Sequence, residues 1–446
     1  MAMTTPDTRN APVKIGLLGL GTVGGGTVNV IKRNAEEIAR RAGRGIQVTH
    51  ASVRDPKRPR LCNTDGIVLT DQPMTVVNHP DIEIVVELIG GVTRARELVL
   101  KAISNGKHVV TANKALIALH GNELFAAAQK HGVMVAFEAA VAGGIPIIKV
   151  LREALSGNNI EWVAGIINGT SNFILTEMRE KGRSFPDVLA EAQKLGYAEA
   201  DPAFDVEGVD AAHKLTILAA IAFGIPLSFD KVYTEGITRI SPLDVEYADQ
   251  FGYIIKSLGI ARRAATGIEL RVHPALVPKR QIIASVNGVM NAVLVKSDAV
   301  GHSLYYGAGA GSEPTASAVV ADLVDVVRTL TVDPGNRVPH LAFQPNAIMT
   351  HVPLLSITEV ETAYYLRLDV SDRPGVLAHV AGILGEHGIS IEALLQKEPP
   401  PGKDRVHLVM LTQRAQERKL NQALKQIGVL PEVHGEIIRI RLETLD

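Results

Sequence analysis

Apolar residues dominate VKIGLL at 13–18, with Lys14 the one charge, give way to a glycine-rich stretch, and return in a helix-like segment to about residue 42. A short apolar run closed by glycine predicts a buried strand, and the stretch after it a helix. The alternation repeats: IQVTHASV, IEIVVELIG and HVVTANK each predict a strand, and positions from about Thr93 to Gly106 a helix. That rhythm predicts an α/β chain opening with a Rossmann-type, doubly wound parallel sheet. Past about residue 132 the pattern changes: VMVAFEAAVAGGIPIIKVL runs from strand into a glycine-rich turn, with Pro146 placed to begin a helix. EWVAGII predicts a strand ending at Asn168-Gly169-Thr170, followed by a polar-capped helix from about Ser171. LTILAAIAFG at 215–224 is apolar almost all round, as a buried helix would be. ASAVVADLVDVV at 316–327 is also helical and apolar, placed to pack back on the nucleotide domain.

Residues 331–359 are broken up by proline and glycine and read as a linker. Beyond them the order is strand YYLRLDV, turn SDRPGV, helix LAHVAGILGEHG, strands ISIEALLQ and VHLVMLT, helix ERKLNQALKQIG and strand EIIRIRLE. This βαββαβ order predicts a ferredoxin-like domain. A chain of 446 residues exceeds one ordinary core. The expected division is a nucleotide domain over 1–131, completed by 305–330, an α+β catalytic and dimerisation domain over 132–304, the linker, and a regulatory domain over 360–446.

Composition narrows the classes of function. The net charge is −1, so nothing in the charge balance points to nucleic acid. Cys62 is the only cysteine, so no intrachain disulfide is available and a reducing compartment fits. The opening MAMTTPDTRNAP has no apolar core, and no uncharged apolar run is long enough to cross a membrane. A soluble, cytoplasmic protein is expected.

Candidate chemistry begins at Gly19-Leu20-Gly21-Thr22-Val23-Gly24, a GxGxxG set between a predicted strand and a predicted helix. There the first glycine makes the turn, the second admits a pyrophosphate and the third lets helix and strand pack. The second strand ends at Val53-Arg54-Asp55-Pro56-Lys57-Arg58. Arg54 leans the cofactor toward NADP, while Asp55 beside it keeps NAD open. Lys114 follows the HVV strand and should point into the crevice at the sheet's carboxyl edge. Glu138 with nearby loop carbonyls has the donors for an internal cation, but the residues alone favour a buried glutamate held by backbone N–H groups. The densest cluster is YAEADPAFDVEGVDAAHK at 197–214. It sets Glu199, Asp201, Asp205, Glu207 and Asp210 before a buried helix carrying Lys214, and Asp210 and Lys214, four apart, share a helical face. A lysine drawn out of water has a lowered pKa and can serve as a proton donor or acceptor.

GLGTVG at 19–24, TANK at 111–114, EAAVAGGIPI at 138–147, NGTSNFIL at 168–175, the 197–214 segment and GAGAGSEPTASAVVADL at 307–323 together resemble homoserine dehydrogenase, over essentially the whole chain. The turn Asp372-Arg373-Pro374-Gly375-Val376 resembles that of ACT regulatory domains, with Asp372, Pro374 and Gly375 as the regulatory positions. The resemblance implies reversible hydride transfer between aspartate semialdehyde and homoserine, in threonine and methionine synthesis. It implies Lys214 as proton donor, Lys114 near nicotinamide and substrate, and Asp210 in the same site. It further implies Glu199, Asp205 and Thr170 as substrate contacts, Gly311 as a cofactor contact, and a sodium-type cation held by Glu138 and the backbone oxygens of Val141, Gly143 and Ile145. Threonine is the expected allosteric ligand, and a homodimer or homotetramer the expected assembly. The rival aspartate-semialdehyde dehydrogenase chemistry needs a thiol nucleophile, and Cys62 lies in a polar loop far from every motif. A non-catalytic amino-acid sensor would not need both Lys114 and Lys214.

Overall fold

The computed structural model describes residues 11–330, 348–397 and 404–445; most of the expected linker lies outside them. The chain opens with β1 (Val13–Leu18), α1 (Thr22–Arg33), α2 (Ala35–Ala42), β2 (Ile46–Ser52), β3 (Val68–Thr70), α3 (Pro73–Asn78), β4 (Ile84–Glu87), α4 (Thr93–Ser104), β5 (His108–Thr111), α5 (Lys114–His131) and β6 (Val135–Ala136). Next come α6 (Ile147–Lys149), β7 (Ile160–Ile166), α7 (Gly169–Lys181), α8 (Phe185–Lys194), α9 (Ala203–Val206), α10 (Val209–Phe223), β8 (Tyr233–Thr234) and α11 (Pro242–Gln250). Then follow β9 (Tyr253–Ala264), β10 (Gly267–Pro278), β11 (Met290–Ser297), β12 (Gly301–Ala308) and α12 (Ser312–Leu330). The last stretch holds β13 (Leu354–Leu355), β14 (Glu361–Ser371), α13 (Val376–Glu386), β15 (Ile391–Gln396), β16 (Arg405–Thr412), β17 (Ala415–Gln416), α14 (Glu417–Ile427) and β18 (Val433–Leu442).

These elements fall into two compact units: 1–163 with 213–230 and 291–351, and 164–212 with 231–290 and 352–446. The first contains a six-stranded sheet in the order β3-β2-β1-β4-β5-β6, with every pair parallel. The strand order reverses between β1 and β4, which opens a crevice beyond their carboxyl ends. Val13, Ile15 and Leu17 of β1 and Ile84 and Val86 of β4 are wholly buried, as strands covered by helices on both faces require. α12 joins this core through Ala316, Val319, Leu323, Val326 and Val327. A Cβ at Gly26 of α1 would lie 2.6 Å from the Ser312 carbonyl oxygen, so the two helices meet where only hydrogen fits.

The second unit is built on the long antiparallel hairpin β9–β10, in register from Gly267 opposite Ala264 to Pro278 opposite Tyr253. Its sheet continues β9-β10-β18-β14-β16-β15. The last four strands, with α13 and α14, are the expected ferredoxin-like domain, its core formed by Leu366, Leu368, Val380, Leu384, Leu408, Leu420 and Ile427. β18 runs parallel to β10, with Ala275 opposite Arg441 and Leu276 opposite Leu442, so this domain shares a sheet with the hairpin.

Three local departures have plain causes. The single helix expected from the fingerprint to residue 42 breaks at Asn34, whose backbone (φ −108°, ψ 21°) caps α1 and starts α2. α7 begins at Gly169 rather than Ser171, because Asn168 is the cap and accepts from the Ser171 N–H at 2.8 Å. The helix after Pro146 is one turn long and widens into a π turn over Val150–Ala154.

Candidate active site

At the carboxyl edge of the parallel sheet lies a cleft of about 490 Å³. It is lined by Gly19, Leu20, Gly21, Arg54, Asp55, Arg58, Arg60 and Arg94, among others. Gly19 has φ +100°, and a Cβ there would come 2.7 Å from the Leu88 carbonyl oxygen, so glycine is required twice over. Gly21 caps α1 and has open space where a Cβ would stand, leaving the backbone accessible to a phosphate. Thr22, Val23 and Gly24 form the first turn of α1, whose N–H groups lack helical partners. The Ser312 hydroxyl donates to the Thr22 carbonyl at 2.8 Å, and Gly311 just before it has φ +126°. These residues suit a dinucleotide: bare backbone donors at a helix start, with arginines at the end of β2 for a ribose phosphate.

Lys114 opens α5, behind a cap in which Asn113 Oδ1 accepts from the Leu116 N–H at 3.1 Å. The Asn113 amide also donates to the Gly91 carbonyl at 2.7 Å. Beneath this turn Glu87 is wholly buried. Its carboxylate accepts from Thr111 Oγ1 at 2.6 Å and from the N–H groups of Ile89 and Gly90. Burial pushes its pKa up, against those hydrogen bonds. Glu87 escaped the sequence reading, although it ends a parallel strand just as the TANK segment does.

The acidic segment gathers around Asn168, which is 5 % exposed. Its Nδ2 donates to Asp205 Oδ1 and to Asp210 Oδ2, both at 2.8 Å, while its Oδ1 caps α7. Thr170 Oγ1 lies 2.6 Å from the Tyr197 carbonyl oxygen and 3.3 Å from Asp205 Oδ2. The Ser171 hydroxyl donates to the Asp205 carbonyl at 3.1 Å. Thr170, Asp205 and Asp210 are thus brought together; the Glu199 side chain is exposed outside this set. Asn168 is the hub that sequence reading took only for a strand end; its signal was an Asn two residues before Thr170 at a helix start. Two carboxylates on one amide form a compact acceptor for a cationic group. Lys214 follows Asp210 by one turn of α10 and is half-buried.

Glu138 is 1 % exposed, and its two oxygens accept from the Ile148 and Lys149 N–H groups, each at 2.9 Å. It therefore caps α6, the second of the two readings its sequence allowed. Burial and the neighbouring charge of Asp322 push its carboxyl up to about 7. The loop carrying Val141, Gly143 and Ile145 is buried and turns through two left-handed residues, Ala142 (φ 55°) and Gly143 (φ 48°). Among the described residues no group of three or more His, Cys, Asp or Glu side chains is placed to hold a metal. A monovalent ion on one carboxylate and carbonyls needs no such group, and the excess negative charge beside Asp322 fits it. In the C-terminal domain Asp372, Pro374 and Gly375 form the exposed turn from β14 to α13, with Gly375 at φ +95°.

A dinucleotide cleft, lysines on two helices, an amide-bridged acid pair and a ferredoxin-like domain define a nicotinamide-dependent dehydrogenase with an appended regulatory-type module. Residues 19–138 match the model of the homoserine dehydrogenase NAD-binding domain, 146–324 that of homoserine dehydrogenase, and 364–432 that of the ACT domain. The chain is 65 % identical to a homoserine dehydrogenase of Pseudomonas aeruginosa over 98 % of its own length and 100 % of that protein's. The corresponding identity to a homoserine dehydrogenase of Bacillus subtilis is 38 %, over 97 % of this chain and 98 % of that one. A homoserine dehydrogenase structure from Thiobacillus denitrificans superposes with a TM-score of 0.92 at 62 % identity, covering 98 % of this chain and 99 % of that one. A hyperthermophilic archaeal homoserine dehydrogenase in complex with NADPH gives a TM-score of 0.61 at 26 % identity, covering 72 % and 99 %. The chain belongs to the homoserine dehydrogenase family, oxidoreductases of amino-acid biosynthesis that act on a CH–OH group with NAD(P). Among the described residues no helix is long and apolar enough to cross a membrane.

Proposed function

We propose that this chain interconverts L-aspartate 4-semialdehyde and L-homoserine with NADP preferred over NAD, supplying threonine and methionine synthesis. The observation that carries the reading is the Asn168 bridge between Asp205 and Asp210, because both molecules bear an α-ammonium group that such a pair would bind. Glu199 adds a third carboxylate on the same segment, and Thr170 holds the Asp205 carboxylate in place. The bound nicotinamide supplies or accepts the hydride. As the aldehyde is reduced its oxygen gains negative charge, and the Lys214 ammonium stabilises that charge and delivers the proton. Asp210, one turn before Lys214 on α10, shares its helical face. Lys114, at the carboxyl edge of the sheet, would stand near the nicotinamide and help to hold the substrate carboxylate.

Arg54 and Arg58, exposed in the cleft at the end of β2, are the residues expected to meet a 2′-phosphate, which supports NADP over NAD. Glu138 and the carbonyls of Val141, Gly143 and Ile145 would hold a sodium-type cation whose role is to brace the loop. Threonine is proposed to bind the ACT domain at the Asp372–Gly375 turn and to lower the rate, in a homodimer or homotetramer of a cytoplasmic enzyme. The direct test is the purified chain with aspartate semialdehyde and NADPH, following absorbance and identifying homoserine as product. NADPH oxidation without homoserine would refute the substrate assignment, and no oxidation with either nicotinamide would refute the activity. Threonine titration of the same rate, and replacement of sodium by choline, test the two remaining ligands.

A further inference from the structure

A short polar segment links the C-terminal domain to the acid cluster, beside the apolar packing of Tyr365 and Ile440 with α7 and Val206. Arg441, on β18, is 1 % exposed. Its guanidinium donates to Glu417 on α14 at 2.5 and 2.8 Å and, from Nη1, to Glu235 Oε2 at 2.6 Å. The Tyr233 hydroxyl donates to the same Glu235 oxygen at 2.8 Å. Arg239 and Arg439 also lie near Glu235, at 3.6 and 4.0 Å. Burial raises the Glu235 pKa, but Arg441 outweighs it and holds the carboxyl below its ordinary value, so it is ionised at neutral pH.

Glu235 begins a segment clamped at both ends. Its N–H donates to the Val272 carbonyl of β10 at 2.8 Å, and the Ile237 N–H donates to the Val206 carbonyl at 2.9 Å. Between them Gly236 lies so close to the acidic segment that a Cβ would stand 2.6 Å from the Val206 oxygen and 2.8 Å from Glu207 Cα. Val206 is the residue after Asp205. The path from Arg441 to the Asp205 carboxylate therefore runs through one buried ion pair, one backbone hydrogen bond and one glycine contact.

We infer that Glu235, fixed by Arg441 of the C-terminal domain, is a positioning residue for Asp205, so that this domain sets how tightly the substrate's ammonium group is held. The inference rests on the proposed role of Asp205 in binding that group. The Glu235 carboxylate is held by Arg441 and Tyr233; it acts by fixing the backbone from which the Asp205 carboxylate projects. Two substitutions perturb that placement by different means. Glu235→Gln removes the charge that Arg441 grips while keeping the shape. Gly236→Ala leaves the ion pair intact and pushes Val206 away.

The test measures, on the full chain, KM for homoserine, KM for NADP and kcat for Glu235→Gln, Gly236→Ala, Asp205→Asn and the double variant Glu235→Gln/Asp205→Asn. Each of the first two is expected to raise KM for homoserine about tenfold, the size of one charge-assisted hydrogen bond, with KM for NADP changing less than about twofold. In the double variant, Glu235→Gln is expected to add less than about twofold to the loss from Asp205→Asn, because two residues acting through one group do not add. If Asp205→Asn raises KM for homoserine while Glu235→Gln and Gly236→Ala leave it within about twofold, the inference is wrong and the substrate reading stands. Full multiplication of the two effects also overturns it. If Asp205→Asn itself leaves KM unchanged, the substrate reading fails and the inference with it. Should Glu235→Gln not fold, Gly236→Ala alone and with Asp205→Asn decides the matter.

Discussion

Replacing Asn168 by Asp is the sharpest perturbation of the acid cluster. The side chain keeps its shape, and aspartate caps a helix as well as asparagine, so the bond to the Ser171 N–H survives. What changes is the atom now at Nδ2, a donor 2.8 Å from Asp205 Oδ1 and from Asp210 Oδ2. Two hydrogen bonds to carboxylates are lost, each worth about 1.5–3 kcal/mol. In their place stand like charges that repel by up to about 4 kcal/mol at 4 Å in a half-buried setting. Asp205 is partly exposed, so water relieves part of this, and a net loss on the order of 3–4 kcal/mol in substrate binding and alignment is reasonable. That corresponds to roughly a 100- to 1,000-fold loss in kcat/KM for homoserine. Three crowded carboxylates take up a proton more readily than two, and that proton restores a donor. Relative to the unsubstituted enzyme, Asn168→Asp is therefore expected to recover as pH falls from about 9 toward about 6, whereas Asn168→Ala keeps a constant deficit. A kcat/KM profile for both variants is the assay. An Asn168→Asp enzyme within about threefold of the parent at every pH, or with a deficit independent of pH, would refute the reasoning.

Substituting Arg54 and Arg58 together by Ser is expected to raise KM for NADP about tenfold and leave that for NAD unchanged; equal loss with both would remove the 2′-phosphate assignment. Arg271 is 1 % exposed between Glu269 at 2.5 Å and Glu443 at 2.8 Å, so Arg271→Met strands two buried carboxylates and should cost about 3–5 kcal/mol. A melting midpoint unchanged by that substitution would show that the pair is not needed. Burial lowers the Lys256 amine from 10.5 to about 7, so between those values the unfolded chain holds a proton that the folded chain has shed, and stability gains with rising pH. The stability advantage of the parent over Lys256→Met should accordingly grow from pH 7 to about pH 10, and a constant difference would contradict the shift.

Much of the fold was legible because its signals are local. Apolar strands, glycines at the fingerprint and the βαββαβ order each follow from short-range rules, and the parallel sheet and the C-terminal domain take the form those rules give. The Asn34 break was invisible because Lys32, Arg33 and the residues of α2 all favour helix, and only the backbone at one asparagine leaves it. The hairpin β9–β10 escaped notice because it mixes buried Lys256, Glu269, Arg271 and His273 into its strands, and these look solvent-facing until their partners are known. Arg271 finds its partner Glu443 far along the chain, as Arg441 of β18 finds Glu235 and Arg367 of β14 finds Asp244. For the proposed site, residue type and position along the chain were enough to put forward Lys114, Asp205, Asp210 and Lys214. They did not suffice for Asn168, whose importance lies in the two carboxylates it joins from 37 and 42 residues away.

The most direct test of the central claim is NADPH oxidation by aspartate semialdehyde, compared between the intact chain and Lys214→Ala, with NADPH binding followed separately by fluorescence. Rapid oxidation by the parent, reduced by about 100-fold or more in the variant while NADPH still binds, is the expected result for loss of a general acid. A variant that oxidises NADPH at the parent's rate would take proton delivery away from Lys214, and a parent that oxidises none would contradict the proposed reaction itself.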